Sequence, residues 1–188
     1  TTNSNGRIMY SGDADAVTAW VASSPTLYSG GVISCFAANT DFSVILAGID
    51  SPSGNTIHRS VNGGANWAAT TSTFIGRVRS IAFSPSLGRW VAVGGSAAYN
   101  TIMYSNDGGN SWYVSPQGGR GGAATIFKIG SEVTRVIWDA VGGRFIVACG
   151  WNGQAGLTNL TNVFGLDATT NNNPGYTMAY SADGINWT

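Results

Sequence analysis

Charged side chains are scarce in this sequence. Only 10% of its 188 residues are Asp, Glu, Lys or Arg, whereas about 25% is typical of globular domains. The nine basic and nine acidic residues cancel, and Lys128 is the single lysine. Because no net field exists to attract phosphate backbones or anionic headgroups, we expect no nucleic-acid partner.

Long apolar runs are also missing. No stretch approaches the ~20 consecutive apolar residues that a membrane-spanning helix needs, so no membrane insertion is expected. The chain is nonetheless 43% apolar and 11% aromatic, which is enough for a substantial core. With 27 glycines and many Ser, Thr and Asn residues, neutral polar groups must cover the surface.

Residues that bind metals or act as nucleophiles are few. Cys35 and Cys149 each lie in an apolar, strand-like run, so we expect two buried free thiols. A disulfide stays open as an alternative, provided that the fold brings their Cα atoms within about 7 Å. His58 is the one histidine and cannot form a multi-histidine site, so no metal and no cofactor are predicted.

What the sequence does contain is a repeat of strand, polar turn and tryptophan. Its clearest copy is M-Y-S-N-D-G-G-N-S-W, ending at Trp112. The turn residues of the four copies are Ser11, Asp13 and Trp20; Ser60, Asn62, Gly63 and Trp67; Ser105, Asp107, Gly108 and Trp112; Ser181, Asp183, Gly184 and Trp187. The four serines are separated by 49, 45 and 76 residues, and the first two steps match the ~40 to 50 residue period of propeller blades.

A second repeated element lies between these turns. Residues 79–95 and 134–150, with a looser copy at 32–48, each read as two apolar strands joined by a short Gly, Pro, Asn or Asp turn. Each unit therefore holds four strands. The predicted fold is all-β, a β-propeller of four-stranded antiparallel blades.

The turn residues have a local chemical reason. The side chain of Asn62, Asp107 or Asp183 can accept hydrogen bonds from its own turn, and the following glycine reaches positive φ at low cost. The serine hydroxyl offers another backbone partner, and the tryptophan can bury a large ring against the neighbouring sheet. The motif therefore holds strand register and does not catalyse a reaction.

This constellation resembles the Asp-box, or bacterial neuraminidase repeat, of sialidases and sortilin-type receptors. Residues 105–112 match the full pattern, 60–67 differ by Asn62 in place of Asp, and 181–187 are one residue short. The first copy, 11–20, lacks both glycines and is two residues longer. The resemblance implies that these turns are structural and lie away from the ligand-binding face.

Strand counting predicts one propeller segment over residues 1–188. We expect a half blade at 6–25, blades at 31–70 and 77–116, and an incomplete blade at 133–188 with an insertion at 151–175. On this count the chain is a segment of a six- to eight-bladed ring. The alternative is a self-contained four-bladed ring with irregular closure, since open rings expose edge strands.

We call the four repeated polar turns the Asp-turns. The longest loops are expected on the face opposite them. Residues 113–126 contain Arg120, whose guanidinium could bind a carboxylate or sulfate. The insertion combines amides with flat apolar rings, which suits neutral sugars. The candidate ligand-binding residues are Arg120, Trp151, Asn152 and Phe164. Solvated loops, or contacts to a neighbouring protein, are the alternative interpretation.

Catalysis is not expected in this segment. Most of its acids belong to Asp-turns or hairpins, which leaves Asp50, Glu132 and Asp167 for the opposite face. A carboxylate-pair glycosidase needs two acids about 5 to 9.5 Å apart with separated pKa values, and these three come from three different loops. No catalytic residue is therefore assigned.

The favoured function is a non-catalytic recognition or attachment module on an extracellular or virion surface, binding a glycan or a protein partner. Low charge, scarce lysine and the acceptor-like sites at Asn159 and Asn186 fit such a surface. Two alternatives remain open. One is a fragment of a sialidase-like or other glycoside hydrolase whose catalytic residues lie elsewhere, and the other is a structural virion or assembly protein that associates with copies of itself.

Overall fold

The computed structural model describes residues 8–11, 21–23, 32–50, 56–71, 77–96, 99–116, 131–151 and 178–188. These residues form thirteen strands in four antiparallel sheets, and no helix among them could cross a membrane. The all-β prediction is confirmed. The alternation of apolar and polar residues, broken by Gly and Asp turns, explains why strands form here.

The first sheet has two strands, β1 (Met9–Tyr10) and β2 (Val21–Ala22). Two four-stranded sheets follow, which we call blade one and blade two. Blade one contains β3 (Val32–Ala38), β4 (Ile45–Asp50), β5 (Ile57–Ser60) and β6 (Ala68–Ala69). Blade two contains β7 (Arg77–Ser84), β8 (Arg89–Ser96), β9 (Tyr99–Ser105) and β10 (Tyr113–Val114).

The last sheet, blade three, has three strands. They are β11 (Ser131–Asp139), β12 (Arg144–Trp151) and β13 (Met178–Ser181). Next to β13, the backbone N–H of Tyr180 donates to the carbonyl of Thr188 at 2.9 Å, and the N–H of Thr188 returns the bond at 3.0 Å. Thr188 thus occupies the position where the fourth strand begins in the other two blades.

The inner strand of each blade carries a β-bulge at the same position. In β3, β7 and β11 the register shifts at Ser34, Arg79 and Thr134 respectively. A bulge bends its strand and increases the local twist, so three equivalent bulges curve the inner strands alike. Serine hydroxyls then join these strands: Ser34 donates to the carbonyl of Val78, and Ser80 to that of Val136 at 3.2 Å.

The core lies between the blades. Each blade has a leading face towards the preceding sheet and a trailing face towards the following one. Between blades two and three the trailing Val91 and Ile102 pack against the leading Val136, Phe145 and Val147, all buried. Successive side chains of a strand point to opposite faces of the sheet, so alternate residues of each strand pack in two different interfaces.

Cys35 differs from the prediction. It is a free thiol, which excludes the disulfide alternative, and its side chain is half-buried where full burial was expected. Its strand β3 is the inner edge of blade one, so one side of the residue faces the space between inner strands. Burial nevertheless raises the pKa of the Cys35 thiol, against smaller opposing effects from Ser34, Gly48 and Arg135.

Candidate functional site

The polar turn of blade two is closed by hydrogen bonds from its own residues. The hydroxyl of Ser105 donates to Oδ1 of Asp107 at 2.8 Å and accepts from the N–H of Gly109 at 3.0 Å. The same carboxylate oxygen accepts from the N–H of Ser111 at 2.8 Å. The indole N–H of Trp112 donates to the carbonyl of Gly109 at 3.0 Å. These hydrogen bonds therefore all pair polar groups of the turn with other residues of the same turn.

Blade one repeats the arrangement with an amide in place of the carboxylate. The hydroxyl of Ser60 donates to Oδ1 of Asn62 at 3.0 Å and accepts from Gly64 at 2.9 Å. Oδ1 of Asn62 accepts from the N–H of Asn66 at 2.9 Å, and the indole of Trp67 donates to Gly64 at 2.8 Å. The carbonyl oxygen of Asn62 thus replaces the aspartate as acceptor.

The shorter turn of blade three changes this pattern. Asp183 accepts from Ser181 at 2.8 Å, from the N–H of Ile185 at 2.9 Å, and from both the N–H and the side-chain amide of Asn186 at 2.8 Å. Gly184 donates to the Ser181 hydroxyl at 2.8 Å. The buried indole nitrogen of Trp187, in contrast, finds no hydrogen-bond partner among the described residues.

These turns also connect neighbouring blades. Nε of Arg59 donates to the carbonyl of Gly108 at 2.8 Å, and Arg89 donates to the carbonyl of Asp183. Partial burial opposes ionisation of Asp107 and Asp183, but their hydrogen bonds outweigh it and lower both pKa values. Carboxylates held in this way stay ionised and bind a proton weakly, which suits a structural role and not general acid catalysis.

A different set of residues lies where the inner strands begin. Asp50 ends β4, and its two carboxylate oxygens lie 2.7 Å from Nε of Arg77 and 2.8 Å from an N–H nitrogen of Arg79, both on β7. Asp50 was one of the three acids expected on the face opposite the Asp-turns. The structure places it in an ion pair between blades one and two, with two cations to one carboxylate.

The inner strands enclose a channel of about 510 Å³ lined by segments of β3, β7 and β11. Arg79 and Arg135 both line it, together with Ser34, Cys35 and Ser80. Arg135 is exposed and makes no ion pair with any carboxylate that the structure describes. Among the residues that the structure describes, Arg135 thus gives the channel a positive charge that no described carboxylate balances.

Most of the predicted ligand-binding residues lie outside the described part of the chain. This holds for Arg120, Asn152 and Phe164 and also for Asp167, while Trp151 ends β12 with a side chain that is not described. Glu132 lies on β11 in register with Gly150, again without a described side chain. Of the first turn, Ser11 is described, while Asp13 and Trp20 are not.

The arginines of the channel were missed in the sequence reasoning. A signal for them existed: when the inner strands are aligned on their hairpins, two of the three begin with charged and polar residues, R-V-R-S in β7 and E-V-T-R in β11. That alignment was used only to count strands. Which ends of the strands converge on one opening depends on packing, and only the structure shows it.

A second concave feature is apolar. A groove of about 660 Å³ lies between the β1–β2 sheet and blade one. Its lining includes Ile8, Met9, Phe36, Phe42 and Trp67. Phe42 has a φ of 58° and is largely exposed, a backbone conformation that is rare for a bulky side chain.

No group of three or more His, Cys, Asp or Glu side chains that could hold a metal ion occurs in the described residues. The acids of the β3–β4 and β11–β12 hairpins accept hydrogen bonds from their own hairpins. Oδ1 of Asp41 accepts from the hydroxyl and the N–H of Ser43, and Oδ1 of Asp139 from the N–H of Gly142. These hydrogen bonds lower the pKa of both carboxyls.

No protein-family model matches the chain, and no curated protein matches it in sequence. Solved structures do. One is YCF48 bound to D1 peptide, 18% identical with a TM-score of 0.52, covering 98% of this chain and 47% of that one. Another is an ancestral GH74 enzyme, 14% identical with a TM-score of 0.53, covering 79% of this chain and 19% of that one.

Both neighbours are β-propellers. At this level of identity they establish the fold alone, and this chain has a β-propeller fold. The chain spans less than half the length of either neighbour. Propellers serve many unrelated functions, so the function has to be inferred from this chain's own site.

Proposed function

We propose that this chain is a non-catalytic recognition module that binds an anionic group of a partner protein through the channel between its inner strands. The blades position the site, and the Asp-turns keep the blades in register. We also propose that the turns make the chain a member of the Asp-box repeat proteins. The serine, aspartate and glycine hydrogen bonds of blades two and three support that assignment.

The observation that carries the proposal is the charge balance at the channel. Arg135 lines the channel beside Arg79 and has no ion-pair partner among the described carboxylates. A guanidinium binds carboxylates in a bidentate geometry, and such bonds are stronger than neutral hydrogen bonds. A carboxylate on a peptide therefore complements this surface better than a neutral sugar does.

The acids argue against hydrolysis by the described part of the chain. Asp107 and Asp183 close turns, Asp41 and Asp139 close hairpins, and Asp50 is paired with two arginines. Hydrogen bonds lower the pKa of the four turn and hairpin carboxyls, whereas a general acid needs a raised pKa. The GH74 neighbour is a glycoside hydrolase, but it supports only the fold that both chains share.

The YCF48 structure contains a bound peptide, and this supports a peptide as the ligand class. An acidic glycan on an extracellular or virion surface is the second candidate. The low charge and the Gly, Ser, Thr and Asn bias of the surface favour that location. Both candidates share the anionic group, so one experiment can compare them.

The test is binding of the protein to immobilised peptides that end in a free carboxylate, beside the same peptides with an amidated end. A second panel compares sialylated glycans with their desialylated forms. We expect binding that needs the carboxylate, weakens with added salt, and falls about tenfold or more in Arg135→Ala, as expected for loss of a charge-assisted bond of about 1.5 to 3 kcal/mol.

The matched control is Arg144→Ala. Arg144 is also exposed, but it starts β12 at the hairpin end of blade three, away from the channel opening. Equal binding of the acid and amide forms, or equal loss in the two arginine variants, would show that the channel is not the site. Binding confined to the sialylated glycans would replace the peptide by a glycan as the ligand.

A further inference from the structure

The Asp-turn of blade one contains an asparagine followed by glycine, Asn62 and Gly63, where blades two and three have aspartate followed by glycine. An asparagine side chain loses its amide most readily before glycine, because glycine has no Cβ to obstruct attack of its backbone nitrogen on the asparagine Cγ. Blade one therefore carries, at the equivalent position, the chemical precursor of the aspartate that the other two blades already have.

The groups that would react are accessible. Asn62 and Gly63 are both exposed, and nothing lies within 4 Å of the position that a Cβ on Gly63 would take. Among the described residues, the hydrogen bonds of this turn leave both the N–H of Gly63 and the Nδ2 amide of Asn62 without an acceptor. The attacking nitrogen and the leaving amide are thus both free of protein partners in the described structure.

The carbon under attack is activated by the turn itself. Oδ1 of Asn62 accepts from the hydroxyl of Ser60 at 3.0 Å and from the N–H of Asn66 at 2.9 Å. Two donors on this oxygen make Cγ more electrophilic and stabilise the negative charge that develops on Oδ1 when a nucleophile adds. In blade two the equivalent donors hold the carboxylate of Asp107. A donor pair that suits a carboxylate therefore acts on an amide in blade one.

We propose that Asn62 is a modification site, at which the folded turn promotes deamidation of the asparagine to aspartate. The backbone nitrogen of Gly63 forms a bond to Cγ, and Nδ2 leaves as ammonia together with the proton of the Gly63 N–H. Water then adds to Cγ of the succinimide and the Cγ–N bond breaks, which returns a proton to the Gly63 nitrogen. In total, one water is consumed and one ammonia is released, and the new carboxyl ionises at neutral pH.

The same donors favour aspartate over isoaspartate as the product. Water can open the succinimide at Cγ, which gives aspartate, or at the backbone carbonyl carbon, which gives isoaspartate. The oxygen on Cγ accepts the two bonds from Ser60 and Asn66, whereas the backbone carbonyl of Asn62 accepts one longer bond, from Ala65 at 3.3 Å. The folded turn therefore polarises Cγ more strongly. The reaction does not involve the channel, so it is independent of the proposed ligand.

The test follows residue 62 in the folded protein and in the same protein unfolded in urea, both kept in mildly alkaline buffer. Trypsin releases residues 60–77 as one fragment, in which mass spectrometry with electron-transfer fragmentation distinguishes Asn, Asp and isoaspartate. We expect Asn62 to be lost about threefold faster in the folded protein, since one hydrogen bond supplies a factor of that order, and aspartate to exceed isoaspartate there.

The unfolded chain should give an excess of isoaspartate, because the donors on Oδ1 are absent. Asn66 lies in the same fragment and is followed by the bulky Trp67, so it should stay unchanged and serve as an internal control. Loss of Asn62 that is no faster in the folded protein than in urea, or an excess of isoaspartate in the folded protein, would overturn the proposal.

Variants separate activation by the donors from the intrinsic reactivity of the dipeptide. Ser60→Ala removes one donor, so it should slow the loss of Asn62 about threefold in the folded protein and leave the rate in urea unchanged. Gly63→Ala should slow the loss in both states, because its Cβ obstructs the attack. The matched control is Ser43→Ala, which removes a hydroxyl from the β3–β4 hairpin of the same blade and should change neither rate. Equal folded-state rates for Ser60→Ala and the unsubstituted protein would show that the turn does not promote the reaction.

Discussion

The turns of blades two and three differ by one residue, and the difference redistributes their hydrogen bonds. In blade two, Gly108 has a φ of 70° and an added Cβ would lie 3.4 Å from the Arg59 side chain, whereas Gly109 packs on Leu46 and supplies the acceptor for Trp112. In blade three Gly184 alone follows the aspartate; it packs against Val91 and Phe145 and donates to its serine as Gly109 does.

Because the turn of blade three is one residue shorter, its tryptophan loses its hydrogen-bond partner, whereas its aspartate keeps its hydrogen bonds. Asp183 accepts from Ser181, Ile185 and Asn186, whereas Trp187 buries an indole N–H with no described acceptor. A buried donor without a partner is costly. The comparison shows that the aspartate carboxylate closes both the longer and the shorter turn. The hydrogen bond donated by the tryptophan indole forms only in the longer turn.

The largest effect is expected for the packed glycine. Gly184→Ala should lower the free energy of unfolding by about 3 kcal/mol, because positive-φ strain adds to an overlap with buried side chains. Gly63→Ala, at a φ of 68° with nothing near the added Cβ, should cost about 1 kcal/mol. Urea denaturation of both variants measures the difference, and equal costs would show that Gly184 is not packed as described.

The second-largest effect is expected in the stability lost when the tryptophans of the two turns are replaced. Trp112→Phe loses ring volume and the bond to Gly109, so it should cost about 2 to 3 kcal/mol. Trp187→Phe loses similar volume but also removes an unsatisfied donor, so it should cost about 1 kcal/mol less. Denaturation midpoints of the two variants decide this. A larger loss for Trp187→Phe would mean that its indole has a partner in solution.

An exchange of acid and amide should give a smaller effect. Asn62→Asp should stabilise blade one by about 0.5 to 1 kcal/mol at pH 7, because a carboxylate accepts stronger bonds from Ser60 and Asn66. Asp107→Asn should destabilise blade two by a similar amount. The two variants are matched reciprocal changes, and thermal melts that move in the same direction would refute the explanation.

The smallest change near neutral pH is expected in the pH dependence of stability, because the contribution of ionisation is lost only in acid. The folded-state pKa of Asp183 lies below its ordinary value of about 3.9. Its stabilisation is therefore present above that value and is lost as the pH falls through the folded-state pKa. We expect the free energy of unfolding to decline below about pH 4, and to decline less steeply in Asp183→Asn. Parallel pH profiles for the two proteins would contradict this.

The blades could be predicted because their signals are local. Alternating apolar residues, the turn motif and its period all lie within stretches of fewer than fifty residues, so strand type, hairpins and the serine-to-aspartate bonds follow from them. The bulges could not be predicted in the same way. Two hydroxyl residues, Ser34 and Thr134, and one arginine, Arg79, occupy the bulge position, so no single residue type marks it, and the shift arises from how each inner strand twists against its neighbour.

The residues of the candidate site were likewise hard to predict where they depend on long-range packing. Sequence reasoning placed ligand binding on the long loops and chose Arg120, which glycines flank, and that residue lies outside the described ranges. Asp50 was considered as a free acid. Its pairing with Arg77 and Arg79 brings together residues 27 and 29 positions apart, and no short-range pattern reports such a distance.

By itself, the sequence determined that this protein is built of antiparallel strands whose Asp and Ser turns hold register, because hydrogen bonds between near neighbours need no help from the rest of the chain. Only the tertiary structure decided which side chains meet between blades. It also placed Arg79 and Arg135 in one channel, because sheet packing depends on contacts between residues far apart in the chain.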